Sequence, residues 1–186
     1  IPSSVKSFGL NIFDGVIKLE IKGKMNKIHA NLFKDCKSLV ELKMPASVKE
    51  IGKNAFDGCI SLIQINIPSI VKKIGTRAFA NCISLKQVEL SSKIKKIEDM
   101  TFLCCSSLTE IKIPESVTAI GISAFEKCLN LEQITIPLSV ETIGEFAFSK
   151  CFALKKISLP PNLKKIMSGT FSGCRLLEEI DIPDKV

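Results

Sequence analysis

Ile113-Pro114-Glu115-Ser116-Val117-Thr118-Ala119-Ile120-Gly121-Ile122-Ser123-Ala124-Phe125-Glu126-Lys127-Cys128-Leu129-Asn130-Leu131-Glu132-Gln133-Ile134-Thr135-Ile136-Pro137 decides the fold, because near-copies of it fill the chain. Phe recurs at 13, 33, 56, 79, 102, 125, 148 and 171, with a first step of 20 residues and later steps of 23. Cys recurs three residues after Phe at 36, 59, 82, 105, 128, 151 and 174. Val16 takes the Cys place in the first copy, and Cys104 alone lies outside the series. Two series locked at one period mark a repeat array, in which each unit stacks on its neighbours.

Each unit has three parts. Leu62-x-x-Ile65-x-Ile67 ends in alternating apolar residues and stops at Pro68, the pattern of a short strand. It recurs as Leu39/Leu42/Met44, Leu85/Val88/Leu90, Leu108/Ile111/Ile113, Leu131/Ile134/Ile136, Leu154/Ile157/Leu159 and Leu177/Ile180/Ile182, with Ser91 once in the Pro place. A second apolar pair follows, such as Val117/Ile120, and then Gly at 52, 75, 121 and 144, or His29, Glu98 and Met167. Three non-Gly residues there imply close packing rather than a left-handed backbone. The Ala-Phe-x-x-Cys-x-x-Leu part suits one turn of α- or 3₁₀-helix. Every unit runs the same way, so the strands pair in parallel. The first strand, Val16–Ile21, reads as shortened by three residues and lacks its Pro, which implies an irregular first rung.

The 186 residues carry a net charge of +7, eight Cys, one His and neither Trp nor Tyr. A Ser–His or Cys–His pair would have to use His29, which replaces a repeat Gly and is read as turn filler. No carboxylate pair or Gly-rich phosphate loop appears, so no enzyme is expected, and no cofactor. No apolar run reaches the ~18–20 residues of a membrane span.

The quoted stretch resembles the BspA-type leucine-rich repeat, and the likeness covers residues 1–186 as a single solenoid. That resemblance implies an α/β, mostly β, right-handed leucine-rich-repeat horseshoe with a parallel sheet on its concave face and about eight rungs. It also implies a bacterial or protozoan protein, many of whose relatives are cell-surface adhesion or host-interaction molecules. The family has no catalytic motif. The chain begins and ends in mid-repeat without caps, which is expected of a fragment whose open strand edges favour end-to-end self-association.

Residues flanking the central apolar position of each strand should point outward in two columns on the concave face. One holds Glu41, Gln64, Gln87, Glu110, Gln133 and Lys156; the other Lys43, Asn66, Glu89, Lys112, Thr135 and Ser158. Glu179 and Asp181 continue them. These are the candidate protein-binding residues. Neither column holds an aromatic, which argues against a hot-spot-rich site. Residues 1–93 hold 15 Lys/Arg against 7 Asp/Glu, a net of +8, whereas 94–186 hold 11 against 12. Lys72, Lys73, Lys93, Lys95 and Lys96 form a candidate patch for an anionic partner, such as an acidic protein. Nucleic acid is not expected, because no aromatic or arginine cluster accompanies these lysines.

The Cys ladder is read as buried free thiols, because side chains on adjacent rungs are parallel and the S–S torsion is hard to reach. A linear ladder cannot converge four ligands on zinc, so no metal is expected. Cys104 should be exposed and oxidisable. Free thiols and the lack of any Asn-x-Ser/Thr sequence point to a reducing compartment, against the cell surface that the resemblance implies. The readings left open are an adhesion or interaction module, an intracellular scaffold with an acidic or cytoskeletal partner, and a structural spacer.

Overall fold

The computed structural model describes residues 12–186. The expected start in mid-repeat at Ile1-Pro2 lies outside them. The chain is a parallel, mostly β solenoid of about seven turns. Its three-residue strands are β1 (Lys18–Glu20), β3 (Glu41–Lys43), β5 (Gln64–Asn66), β7 (Gln87–Glu89), β9 (Glu110–Lys112), β11 (Gln133–Thr135), β13 (Lys156–Ser158) and β14 (Glu179–Asp181). Two-residue strands alternate with them: β2 (Lys27–Ile28), β4 (Glu50–Ile51), β6 (Lys73–Ile74), β8 (Lys96–Ile97), β10 (Ala119–Ile120) and β12 (Thr142–Ile143). Every recorded pairing is parallel, and its register is one repeat, as in Ile134↔Ile157 and Ile51↔Ile74.

The core is a set of columns. Phe33, Phe56, Phe79, Phe102, Phe125 and Phe148 are fully buried. Their rings stack in parallel at 5.2–5.6 Å, within 12° of coplanar. Offset stacking of this kind adds ~0.5–1.5 kcal/mol per pair beyond the area buried. Phe13 departs, tilted 37° on Phe33. The cause lies in the turn: β1 pairs with β3 at the full 23-residue offset, Lys18↔Glu41, so the three missing residues fall between Phe13 and β1. The first strand is therefore not shortened; the turn before it is.

The expected helical turn is absent among the described residues. The residues two before each Phe (Asn31, Asn54, Arg77, Met100, Ser123, Phe146, Gly169) have φ of +52° to +64°. Two after Phe stand Gly15, Asp35, Gly58, Asn81, Cys104, Lys127, Lys150 and Gly173, also left-handed. A helix would turn these amides onto its own carbonyls. The alternating handedness turns them onto the next rung instead. Arg77, Phe79 and Asn81 thus donate to Asp99 O, Thr101 O and Leu103 O at 2.7–3.0 Å. A non-Gly residue in this conformation costs ~1–2 kcal/mol, which the added rung-to-rung bond offsets.

Gly52, Gly75, Gly121 and Gly144 do pack closely and are not left-handed. A Cβ on Gly144 would stand 2.6 Å from Ile122 N and 2.7 Å from Gly121 C. A real Cβ occupies this place at Glu98 and Met167, and there the two-residue sheet breaks. It runs β2-β4-β6 and then β8-β10-β12, and 165–166 is not a strand. Ser91, in the Pro place, donates to Ser69 O at 2.6 Å and accepts from Lys93 N.

Candidate functional site

All twelve candidate strand residues lie where the alternation put them. In β5, β7, β9, β11 and β13 the central residue is buried and both flanking side chains are exposed. Gln64↔Gln87, Asn66↔Glu89, Gln133↔Lys156 and Thr135↔Ser158 are register pairs, so the columns are in register within each of three successive sheets, β1-β3, β5-β7 and β9-β11-β13-β14. Glu41 and Lys43 face the same way at the N-terminal end, where Glu41 pairs with Lys18 at 3.3 Å.

Sequence reading missed what borders the columns. Ile63 stays 42% exposed just before β5, one repeat after the half-buried Val40, and Ile83 stays 43% exposed one repeat after Ile60. A cavity of about 590 Å³ opens here, lined by Ile63, Gln64, Lys86, Gln87, Thr109 and Asn130. Polar column residues and one exposed aliphatic side chain, Ile63, thus meet at one point. The signal was available: Ile17, Val40 and Ile63 share one repeat position that later copies fill with polar residues.

The lysine patch is divided. Lys72, Lys73, Lys93, Lys95 and Lys96 are all exposed. Lys73 and Lys96, however, belong to separate sheets, and Lys96 pairs with Glu98 at 3.1 Å. On the turn side, buried Asp57 accepts from Arg77 Nε and Nη2, both at 3.1 Å, and from Asn81 Nδ2 at 2.7 Å, tying two rungs together.

The cysteines are free, and their recurrence has a further cause. The thiols of Cys59, Cys82, Cys105, Cys128, Cys151 and Cys174 donate at 3.0–3.2 Å to the carbonyl of the Phe one rung back. Cys therefore acts both as a small apolar filler and as a weak donor. Burial pushes Cys36 up to about 11 and Cys59, Cys82, Cys105, Cys128 and Cys151 further. Cys104 is half-buried in a left-handed turn position rather than fully exposed, and burial raises it too, against Lys127 and Arg77. Iodoacetamide at pH 8 should therefore label Cys104 and Cys174 first and slowly; rapid labelling of all eight in the native state would contradict the buried ladder. Stability should fall as pH rises above 9.0, because unfolded thiols then lose protons that the folded ones keep.

Among the described residues no group of three metal-ligating side chains occurs, and no helix is long and apolar enough to cross a membrane. The BspA type leucine-rich repeat region matches in six copies over residues 1–106, 26–151 and 95–186. The chain belongs to the BspA-type leucine-rich-repeat family. It is similar to a leucine-rich repeat protein of Bacteroides ovatus, at 37% identity and a TM-score of 0.86 over 91% of this chain. It spans 46% of that protein's length. The Treponema pallidum leucine-rich repeat protein is 30% identical at a TM-score of 0.62, covering 90% of this chain and 71% of that one. The pneumococcal vaccine antigen PcpA, 24% identical over 91% of this chain and 46% of its own, shares the fold at a TM-score of 0.64. No curated protein matches. BspA-type repeats are generally protein-interaction modules, and the similar structures are repeat proteins.

Proposed function

We propose that this chain is a non-enzymatic protein-binding module, used in adhesion, that engages its partner on the face of the three-residue strands, the concave side of a right-handed solenoid. The observation that carries this is the meeting of the in-register Gln64–Gln87 column with exposed Ile63 at the 590 Å³ cavity. A flat polar face supplies register and specificity, and the exposed Ile63 at the edge of a mostly polar recess supplies an apolar contact point. The lysines of β6 and β8 favour an acidic partner by steering its approach, an effect that weakens with salt. End-to-end association through the strand edges is a further element of this proposal. The ion pairs on the surface are exposed and contribute little to stability, ~0–1 kcal/mol each, which leaves such side chains free to serve binding.

Reversing the strand charges tests the face. Glu89→Lys with Glu110→Lys and Lys112→Glu should weaken capture of the partner from source-cell surface extract at least tenfold, a loss of ~1.4 kcal/mol or more. A turn-side control, Lys127→Glu with Lys150→Glu, should leave capture within twofold. Equal capture by both variants would remove the strand face from the proposal.

A further inference from the structure

The two-residue sheet carries a groove of about 720 Å³ on its C-terminal half, on a different surface from the strand columns. Its origin is local. In regular rungs the Gly amide donates to the Ile one rung back, as Gly121 does to Ile97 O and Gly144 to Ile120 O, at 2.8 and 2.9 Å. Met167 carries a Cβ at that place, and among the described residues no backbone bond joins it to Ile143. The sheet thus ends at β12 with an unpaired edge beside segment 162–167.

The floor is small and apolar: Ala119, Gly121 and Gly144, with Ile122 44% and Met167 38% exposed beside it. The rim is basic. Lys96, Lys164, Lys165 and Lys185 line it against Asp99 and Glu141. Lys164, Lys165 and Lys185 join no ion pair among the described residues. From Lys96 to Lys165 is three rung steps, ~14 Å, the length of about four extended residues.

We propose that this groove docks an extended acidic peptide segment of a protein partner, with alternate side chains taken by the apolar floor and carboxylates by the lysine rim. A trough that crosses three rungs favours an extended ligand, whose successive side chains point to opposite sides, one set to the floor and one to the rim. The rim charge fixes the ligand's sign. The proposal goes beyond the strand-face site and does not depend on it.

A short fluorescein-labelled peptide of alternating Glu and Val is the probe, read by fluorescence anisotropy at low and moderate salt. Binding should weaken at least tenfold in Lys164→Glu/Lys165→Glu, and likewise in Ala119→Gln, which fills the floor with a neutral polar side chain and leaves the rim charge unchanged. Lys127→Glu/Lys150→Glu, on the turn side and outside the groove, should stay within twofold. All variants should keep the parent's circular dichroism spectrum. No binding by the parent chain, equal binding by a Lys–Val peptide, or equal losses inside and outside the groove would overturn the proposal. None of these outcomes bears on the strand-face site.

Discussion

Phe102→Ala is expected to cost ~3–5 kcal/mol, among the largest losses of any single core truncation here. Phe102 is fully buried, with stacked rings 5.6 and 5.5 Å away on its two sides. Its backbone amide also donates to Ala124 O, so a cavity there borders a rung-to-rung bond. In a repeat array a weak interface in the middle uncouples the halves. Chemical denaturation should therefore show a lower midpoint and a shallower slope, as the two halves begin to unfold separately. A loss under about 1 kcal/mol would contradict the stacked column.

Gly144→Val is expected to cost about 1–3 kcal/mol, although Gly144 is exposed enough to look permissive from its sequence neighbours. The added Cβ would stand 2.6 Å from Ile122 N, a backbone atom that cannot swing away as a side chain can. The rung must then stand off, as those of Glu98 and Met167 do. Amide exchange at position 144, protected by its 2.9 Å bond to Ile120 O, should accelerate in the variant. Met167→Gly is the reverse case, and it should extend pairing from β12 to segment 162–167 and protect that amide. Unchanged exchange in both variants would mean that the Cβ does not set where the sheet ends.

The strands were legible because the period-2 alternation in Leu-x-x-Ile-x-Ile has one geometric solution, and the 23-residue spacing set their register. The candidate columns followed from the same alternation. The turn around Phe was not legible in the same way. Ala-Phe-x-x-Cys places apolar groups three apart, which suits a helical turn as well as the successive tight turns that occur. The deciding signal was the Gly, Asn and Asp content at 15, 35, 58, 81 and 173, residues that tolerate left-handed backbone. Cys104 and Phe146 hide that signal, because the stack imposes the conformation on whatever residue stands there. The groove was illegible for another reason. It arises from the collision that Met167 would make with the rung before it, and a collision belongs to the stacked chain rather than to any one repeat.

The proposed binding face puts the partner on the three-residue strands. A photo-crosslinking benzophenone amino acid placed at Gln87, and separately at the turn-side Lys150, tests it in intact source cells. One discrete cross-linked species is expected from the Gln87 position and none from Lys150. A species from Lys150 alone, or none from Gln87, would contradict it.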